Sequence, residues 1–309
     1  MQRQKVFFFA SLRKFFAPLR ENFFPFYTMT EYINWNGKIV EKDKFHISPD
    51  NRSFRYGDGF FETMKIMKGN ILLAGFHFMR FFSSLQLLSF DVPALFTPEY
   101  FTQQIHSLIL KNKHSSLARV RLMIYRGNGG LYDPENHYPN FVIQSGPLQK
   151  AINELNTNGL DIDIYTEARK VSDSFSMVKS NNYLAYAMAA LWAKKNKLND
   201  CLLLNPYENI CDSTIANIFI VQDNLIKTPA IAEGCINGVA RSYLIECCKK
   251  DNIFINETTI SPEDILYASE VFLTNAVSGI RWVKQLGERN YNKPSAAVKL
   301  HNDYMKDRK

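Results

Sequence analysis

Four short runs of this chain hold residue types that chemistry needs. The first, Phe54-Arg-Tyr-Gly-Asp-Gly-Phe-Phe-Glu-Thr63, is a tight Gly-Asp-Gly turn feeding a strand. The second, His77-x-x-Arg80-x-x-x-Ser84, puts polar residues at i, i+3 and i+7, so they face one way beside an apolar helical stripe. A guanidinium on such a face suits a phosphate, and a solvated helix face explains it equally well. The third, Val178-Lys179-Ser-Asn-Asn182-Tyr183, sets a lysine at the junction into an alanine-rich helix. The fourth, Asp212-Ser-Thr-Ile-Ala-Asn217-Ile-Phe219, is followed by Thr228-Pro229 and then Asn237-Gly-Val-Ala-Arg241. Taken singly, each has a plain structural explanation. There is no Walker loop, dinucleotide fingerprint, nucleophile elbow or metal-spaced histidine pair, so no metal site is expected. His77 reads as a helix-surface residue or one standing behind a site.

The pattern around these runs predicts the elements that must position them. Asn36–Gly37 and Gly69–Asn70 mark hairpins between Tyr32–Trp35 and Lys38–Val40, and between Phe60–Met67 and Ile71–Ala74. Phe76–Phe90 turns helical, with Phe78, Phe81, Phe82, Leu85 and Leu88 in one stripe, and Pro98–Lys111 is a second amphipathic helix. Leu117–Tyr125 and Phe141–Gln144 read as strands joined by the loop Gly127–Pro139. The polar stretch 149–159 is the linker candidate. Beyond it come strands at Leu160–Tyr165, Cys201–Leu204, Asn217–Val221, Leu225–Lys227 and Val271–Thr274. Helices are expected at Asn182–Lys195 and Gly238–Lys250, the latter capped by Asn237. Ser261-Pro-Glu-Asp264 has capping-box spacing. The sum is α+β: two lobes with mixed, largely antiparallel sheets, a small domain at 29–148, the linker at 149–159 and a larger domain at 160–309.

The 309 residues are 46% hydrophobic and 22% charged, which excludes disordered and low-complexity classes. No apolar stretch approaches the roughly 20 residues of a membrane span. Five cysteines, odd in number and without metal spacing, read as reduced thiols of a cytoplasmic protein. The net charge of +7 invites a nucleic-acid reading. Residues 1–28, however, hold +4 of it and eight of the 24 phenylalanines, leaving +3 for the rest, so no nucleic-acid partner is expected. That basic, aromatic segment is read as an extension upstream of a start at Met29; a transit or membrane-surface peptide is the rival reading.

Jointly, in order and spacing, the four runs resemble the class IV aminotransferases, the fold type IV pyridoxal-phosphate enzymes that include branched-chain and D-amino acid aminotransferases and aminodeoxychorismate lyases. The resemblance covers roughly Tyr32 to Val283. It implies pyridoxal 5'-phosphate as cofactor, a D-amino acid aminotransferase-like fold and a homodimer. By the same resemblance Lys179 would hold the cofactor aldehyde and act as catalytic base, and Arg80 would clamp the phosphate. Gly238, Val239 and Ala240, at a helix N-terminus, would offer N–H groups to the same phosphate. Asn275-Ala276 matches another phosphate-contacting turn. Tyr183 resembles the tyrosine near the cofactor's phenolic oxygen, one residue closer to the lysine than in branched-chain enzymes. Asp212 stands where the family has glutamate against the ring nitrogen; it supplies the anion with one methylene less reach. Tyr56 and Phe61 match positions lining the substrate pocket. Arg121 aligns with an arginine of branched-chain enzymes, and Arg126 with the Arg-Gly of D-amino acid aminotransferases and lyases; either would hold a substrate carboxylate. Arg126-Gly-Asn-Gly-Gly130 and Asn237-Gly238-Val-x-Arg241 look more like the lyase branch. The expected activity is therefore elimination of pyruvate to give p-aminobenzoate, with amino acid transamination as the alternative. An inactive binding protein on this fold is the remote one, given Asp212.

Overall fold

The computed structural model describes residues 31–292 and 294–306; the expectations placed on residues 1–28 lie outside them. The first half builds a six-stranded sheet. Its elements are β1 (Tyr32–Trp35), β2 (Lys38–Glu41), α1 (Arg52–Tyr56), β3 (Gly59–Met67), β4 (Asn70–Ile71), α2 (Ala74–Leu87), α3 (Pro98–Lys111), β5 (Leu117–Arg126) and β6 (Pro139–Pro147). The strand order is β2-β1-β6-β5-β3-β4, antiparallel throughout.

Period-two alternation decides which face of this sheet is covered. Phe60, Met64 and Ile66 of β3 meet Phe78, Phe81 and Leu85 of α2 and Phe101, Ile105 and Leu108 of α3 in one core. Thr97 accepts a hydrogen bond from the Tyr100 N–H and Pro98 fills the first turn, so α3 starts where the sequence says. The opposite face carries Phe61, Thr63 and Lys65 of β3. It also carries Met123, Arg121 and Arg119, their direct partners on β5. Short α1, which sequence patterning reads as plain turn, exists because Asn51 caps its Ser53 and Phe54 N–H groups and Gly57, at φ 68°, ends it left-handed.

The second half is a nine-stranded mixed sheet. It contains β7 (Leu160–Arg169), α4 (Leu184–Lys195), β8 (Asp200–Leu204), β9 (Ile210–Ser213), β10 (Asn217–Gln222), β11 (Leu225–Pro229) and α5 (Val239–Lys250). It continues with β12 (Ile255–Thr258), α6 (Pro262–Tyr267), β13 (Glu270–Asn275), β14 (Gly279–Leu286), β15 (Arg289–Asn290) and α7 (Ser295–Leu300). The order is β12-β11-β10-β13-β14-β7-β8-β9, with β15 on β14. Pairs β7–β8, β7–β14 and β11–β12 are parallel, the rest antiparallel. The polar stretch 149–159 lies against β14: Asn156 bonds both the N–H and the C=O of Trp282, and Arg281 donates to Ile152 and Glu154 carbonyls.

A backbone seam and a helix–helix contact join the halves. The Phe61 N–H donates to the Lys179 C=O at 3.0 Å, and the Asn181 N–H to the Gly59 C=O at 2.9 Å, so residues 179–181 run along the start of β3. Only glycine fits at position 59, because a Cβ there would lie 2.2 Å from the Ile124 carbonyl oxygen. On the other side, α2 packs against α5. Among the described residues no helix is long and apolar enough to cross a membrane.

Candidate active site

Lys179 lies where the backbone seam meets α4. Its Nζ donates to the Tyr183 hydroxyl at 3.1 Å and sits 4.9 Å from the centre of the Phe61 ring. Burial disfavours the ammonium, and the Arg80 and Arg121 charges add to that; Glu62 and Asp212 oppose them. The net effect brings the amine down to about 8. Burial, reinforced by the Asp212 charge, pushes the Tyr183 hydroxyl well up, so it keeps its proton at neutral pH.

Arg80 projects from α2 toward the N-terminus of α5. Its Nε and one terminal nitrogen each donate to Glu62 at 2.7 Å, and the other terminal nitrogen donates to the Asn237 C=O at 2.9 Å. Glu62 is 1% exposed and also meets His77 Nδ1 at 2.6 Å. Burial alone would raise its carboxyl; the Arg80 charge and the His77 contact outweigh this and hold it at about 2. His77 is wholly buried beneath the site, not on the helix surface. The sequence reading did not single out Glu62; the signal that finds it is a charged residue between Phe60 and Met64 on a core-facing period, opposite a helix bearing an arginine.

The first turn of α5 has Gly238 as N-cap, with no side chain capping it; Asn237, expected there, instead accepts from Ser242 Oγ. The N–H groups of Val239 and Ala240 thus head a helix beside the Arg80 guanidinium. Gly238 is demanded by contact: a Cβ would stand 1.8 Å from Asn217 Oδ1. Thr274 pairs directly with Asn217 across β13 and β10, hence on the same face, and its buried hydroxyl has no partner among the described residues. Asn275 closes the following turn by accepting from the N–H groups of Val277 and Ser278, with Ala276 inside it.

Asp212, on β9, is 1% exposed. Its Oδ2 accepts from the Ile236 N–H at 3.0 Å and from Lys170 Nζ at 3.4 Å. The Tyr186 hydroxyl lies 3.0 and 3.1 Å from its two oxygens. Tyr186 stacks on Tyr183, with centroids 4.5 Å apart. Lys170 and Tyr186 carried no recognisable signal in the sequence.

The substrate-side residues divide. Phe61 packs on Tyr183, and the Arg121 guanidinium lies 3.6 Å over the Phe61 ring with its buried Nε unbonded. Arg126 stands differently from the expectation that it holds a carboxylate. It is buried and paired with Asp58 at 3.1 Å, and it donates to the Leu88 and Ser89 carbonyls. It also meets His137 Nδ1 at 3.2 Å in the 127–138 loop, which Arg52 holds through Gly129, Leu131 and Tyr132 carbonyls. Tyr56 packs on Tyr132 of that loop and under Arg52.

Residues 59–286 match the family model described as amino-transferase class IV. The chain is 25% identical over 237 residues to aminodeoxychorismate lyase of Vibrio harveyi, covering 76% of this chain and 85% of that one. It is 21% identical over 254 residues to D-alanine aminotransferase of Bacillus licheniformis, covering 80% and 86%. Among solved structures, the branched-chain aminotransferase of the thermophilic archaeon Thermoproteus uzoniensis, with norvaline, superposes with a TM-score of 0.80 at 21% identity. That match covers 89% of this chain and 93% of the other and shows a common fold.

Proposed function

This chain belongs to the class IV amino-transferase family, and from that premise we propose that it is a pyridoxal phosphate-dependent enzyme that transaminates an amino acid. The residues present fit the cofactor. An uncapped helix N-terminus, the Arg80 guanidinium and the unpartnered Thr274 hydroxyl converge where a phosphate would be held. Asp212 offers a buried carboxylate for the ring nitrogen, and Lys179 an amine for the aldehyde. When bound, pyridoxal phosphate supplies the carbonyl that captures a substrate amine and a ring that withdraws electrons from the substrate Cα.

The observation that carries the reading is Lys179, a buried amine 3.1 Å from the Tyr183 hydroxyl, which burial and the Arg80 and Arg121 charges, opposed by Glu62 and Asp212, bring to about 8. An amine poised there has a free-base fraction near neutrality and can take a proton from Cα and return it. Tyr183 keeps a donor within 3.1 Å of that nitrogen. Arg121, with an unbonded Nε beside Phe61, is the group offered to the substrate carboxylate. Arg126 is spent on Asp58 and on backbone carbonyls, which removes one of the two features that leaned toward the lyase branch; the preference for transamination rests on Arg121 as the carboxylate group and on the likeness to amino acid aminotransferases. Pyruvate elimination from aminodeoxychorismate is the second reading, favoured by the likeness to the Vibrio harveyi lyase. A homodimer in the cytoplasm is part of the proposal, resting on the family resemblance and on five free cysteines.

Purified protein supplied with pyridoxal phosphate is expected to show a visible absorption band that borohydride bleaches and that Lys179→Ala abolishes together with turnover. Single amino acids without an acceptor should convert the bound cofactor to its amine form. Pyruvate release from aminodeoxychorismate with no such conversion would replace transamination by the lyase reading, and a protein that takes up no cofactor would defeat both.

A further inference from the structure

Asp212 is one methylene shorter than the glutamate expected at its position, and it is buried, so its orientation has to be set by what surrounds it. Three donors converge on Oδ2: the Ile236 N–H at 3.0 Å, the Tyr186 hydroxyl at 3.0 Å and the Lys170 ammonium at 3.4 Å. Among the described residues Oδ1 receives only the shared Tyr186 hydroxyl, at 3.1 Å, and so keeps acceptor capacity. Lys170 is itself 8% exposed and is the cation paired with this carboxylate. Its other neighbours are the Tyr186 ring, 5.3 Å away, and the Ser176 C=O at 3.3 Å. The Ser176 contact lies three residues before Lys179, on the segment that delivers it. Lys170 is tied at its own backbone by an N–H donated to the Leu204 C=O at 2.8 Å. A buried ammonium with a fixed backbone and one carboxylate partner is a built device, since neither charge could be left alone there without a large desolvation cost.

We propose that Lys170 is a positioning residue for Asp212: it pins Oδ2, leaves Oδ1 for the ring nitrogen, and supplies the countercharge the carboxylate needs in the cofactor-free protein. The proposal rests on the pyridoxal phosphate reading for the role of Oδ1, while the Lys170–Asp212 coupling stands on the protein alone. With cofactor bound, a protonated ring nitrogen becomes a second cation on the same carboxylate. Lys170 therefore shares Asp212 with the ring and moderates the negative charge the ring nitrogen experiences.

The test is a thermal-melt cycle in apo and cofactor-loaded protein with Lys170→Met, Lys170→Arg, Asp212→Asn and the double variant Lys170→Met/Asp212→Asn. Apo Lys170→Met should melt about 5–10 °C below wild type, because one member of a buried pair is stranded. Lys170→Arg should recover most of the loss. The double variant should melt above Lys170→Met, since the stranded charge is gone. Added pyridoxal phosphate should raise the melting temperature of Lys170→Met by more than it raises that of wild type, as the ring nitrogen replaces the missing cation. Equal cofactor gains in the two proteins, or single-variant losses that simply add in the double variant, would overturn the proposal. If Lys170→Met does not fold, a double variant that also fails to fold overturns it, and one that folds supports it. A wild-type protein that shows neither colour nor a cofactor-dependent melting shift would defeat the functional reading instead, with the apo cycle still deciding the coupling.

Discussion

Replacing Glu62 by glutamine keeps the side-chain shape and removes the charge that holds Arg80. A carboxyl that ionises at 4.5 in the unfolded chain and at about 2 in the folded protein contributes about 3 kcal/mol to stability at neutral pH. The residue is fully buried, so solvent screening takes little from that figure. Because the folded value is the lower one, this contribution is present above about pH 4.5 and is lost as the pH falls toward about 2. Glu62→Gln should therefore be about 3 kcal/mol less stable than wild type at pH 7, with the gap shrinking to less than half by pH 3. Removing one partner of a buried ion pair commonly costs 3–5 kcal/mol, which agrees in size. Urea unfolding followed by circular dichroism at pH 7, 5, 4 and 3, at constant ionic strength, measures the gap. A difference under about 1 kcal/mol at pH 7, or one that does not narrow with acid, would refute the view that the Arg80–Glu62 pair holds the phosphate end in place.

Three further outcomes are expected. Arg121→Leu should raise KM for amino acid substrates about ten- to hundredfold, through loss of a charge-assisted contact, and leave the melting temperature nearly unchanged; an unaltered KM would remove Arg121 from substrate binding. In stopped-flow mixing, capture of pyridoxal phosphate by the apoprotein should accelerate about tenfold per pH unit up to pH 7. It should then level off above the value of about 8 to which burial brings Lys179; a rise continuing toward pH 10 would mark an ordinary lysine. Gly238→Ala forces a Cβ to within 1.8 Å of Asn217 Oδ1, so it should cost about 1–3 kcal/mol in unfolding experiments and weaken binding of inorganic phosphate. Phosphate affinity equal to wild type would show that the Asn217–Gly238 contact does not shape the anion site.

How much was legible before the fold was known depended on sequence distance. Arg80 and Lys179 were readable because local pattern places them: a helix stripe in one case, a strand-to-helix junction in the other. The structure brings them into one cluster: Lys179 bonds the Tyr183 hydroxyl and feels the charges of Arg80, Glu62, Asp212 and Arg121. What local pattern could not supply was pairing across long loops. Arg126 looked available because nothing near it in sequence competes for its donors, yet Asp58, 68 residues earlier, takes them. Asp212 looked like a lone acid for the same reason; its cation partner is 42 residues upstream. Strand β9, which carries it, was not recognised, because Ile210-Cys-Asp-Ser213 is buried throughout and neither alternates apolar with polar nor forms an apolar run. The N-terminus of α5 was misplaced by one residue, since an asparagine there is a better cap by propensity than the glycine that close packing demands.

The peptide units of Ile236 and Asn237 have a consequence for tolerance to error. The Ile236 N–H holds Asp212 and its C=O accepts from Asn217; the Asn237 C=O accepts from Arg80, and its N–H reaches the Met177 C=O two residues before Lys179. Two consecutive peptides thus act as a gauge block: Asp212 and Arg80, the groups proposed for the ring nitrogen and the phosphate, are referenced to one short length of backbone whose N–H and C=O groups are all bonded. Motion between the two sheets can carry this block along, but it changes the spacing between its ends very little. Accuracy at the site is therefore decoupled from rigidity of the molecule as a whole, and an insertion or deletion within residues 235–238 should be tolerated less than one of the same size in any surface loop.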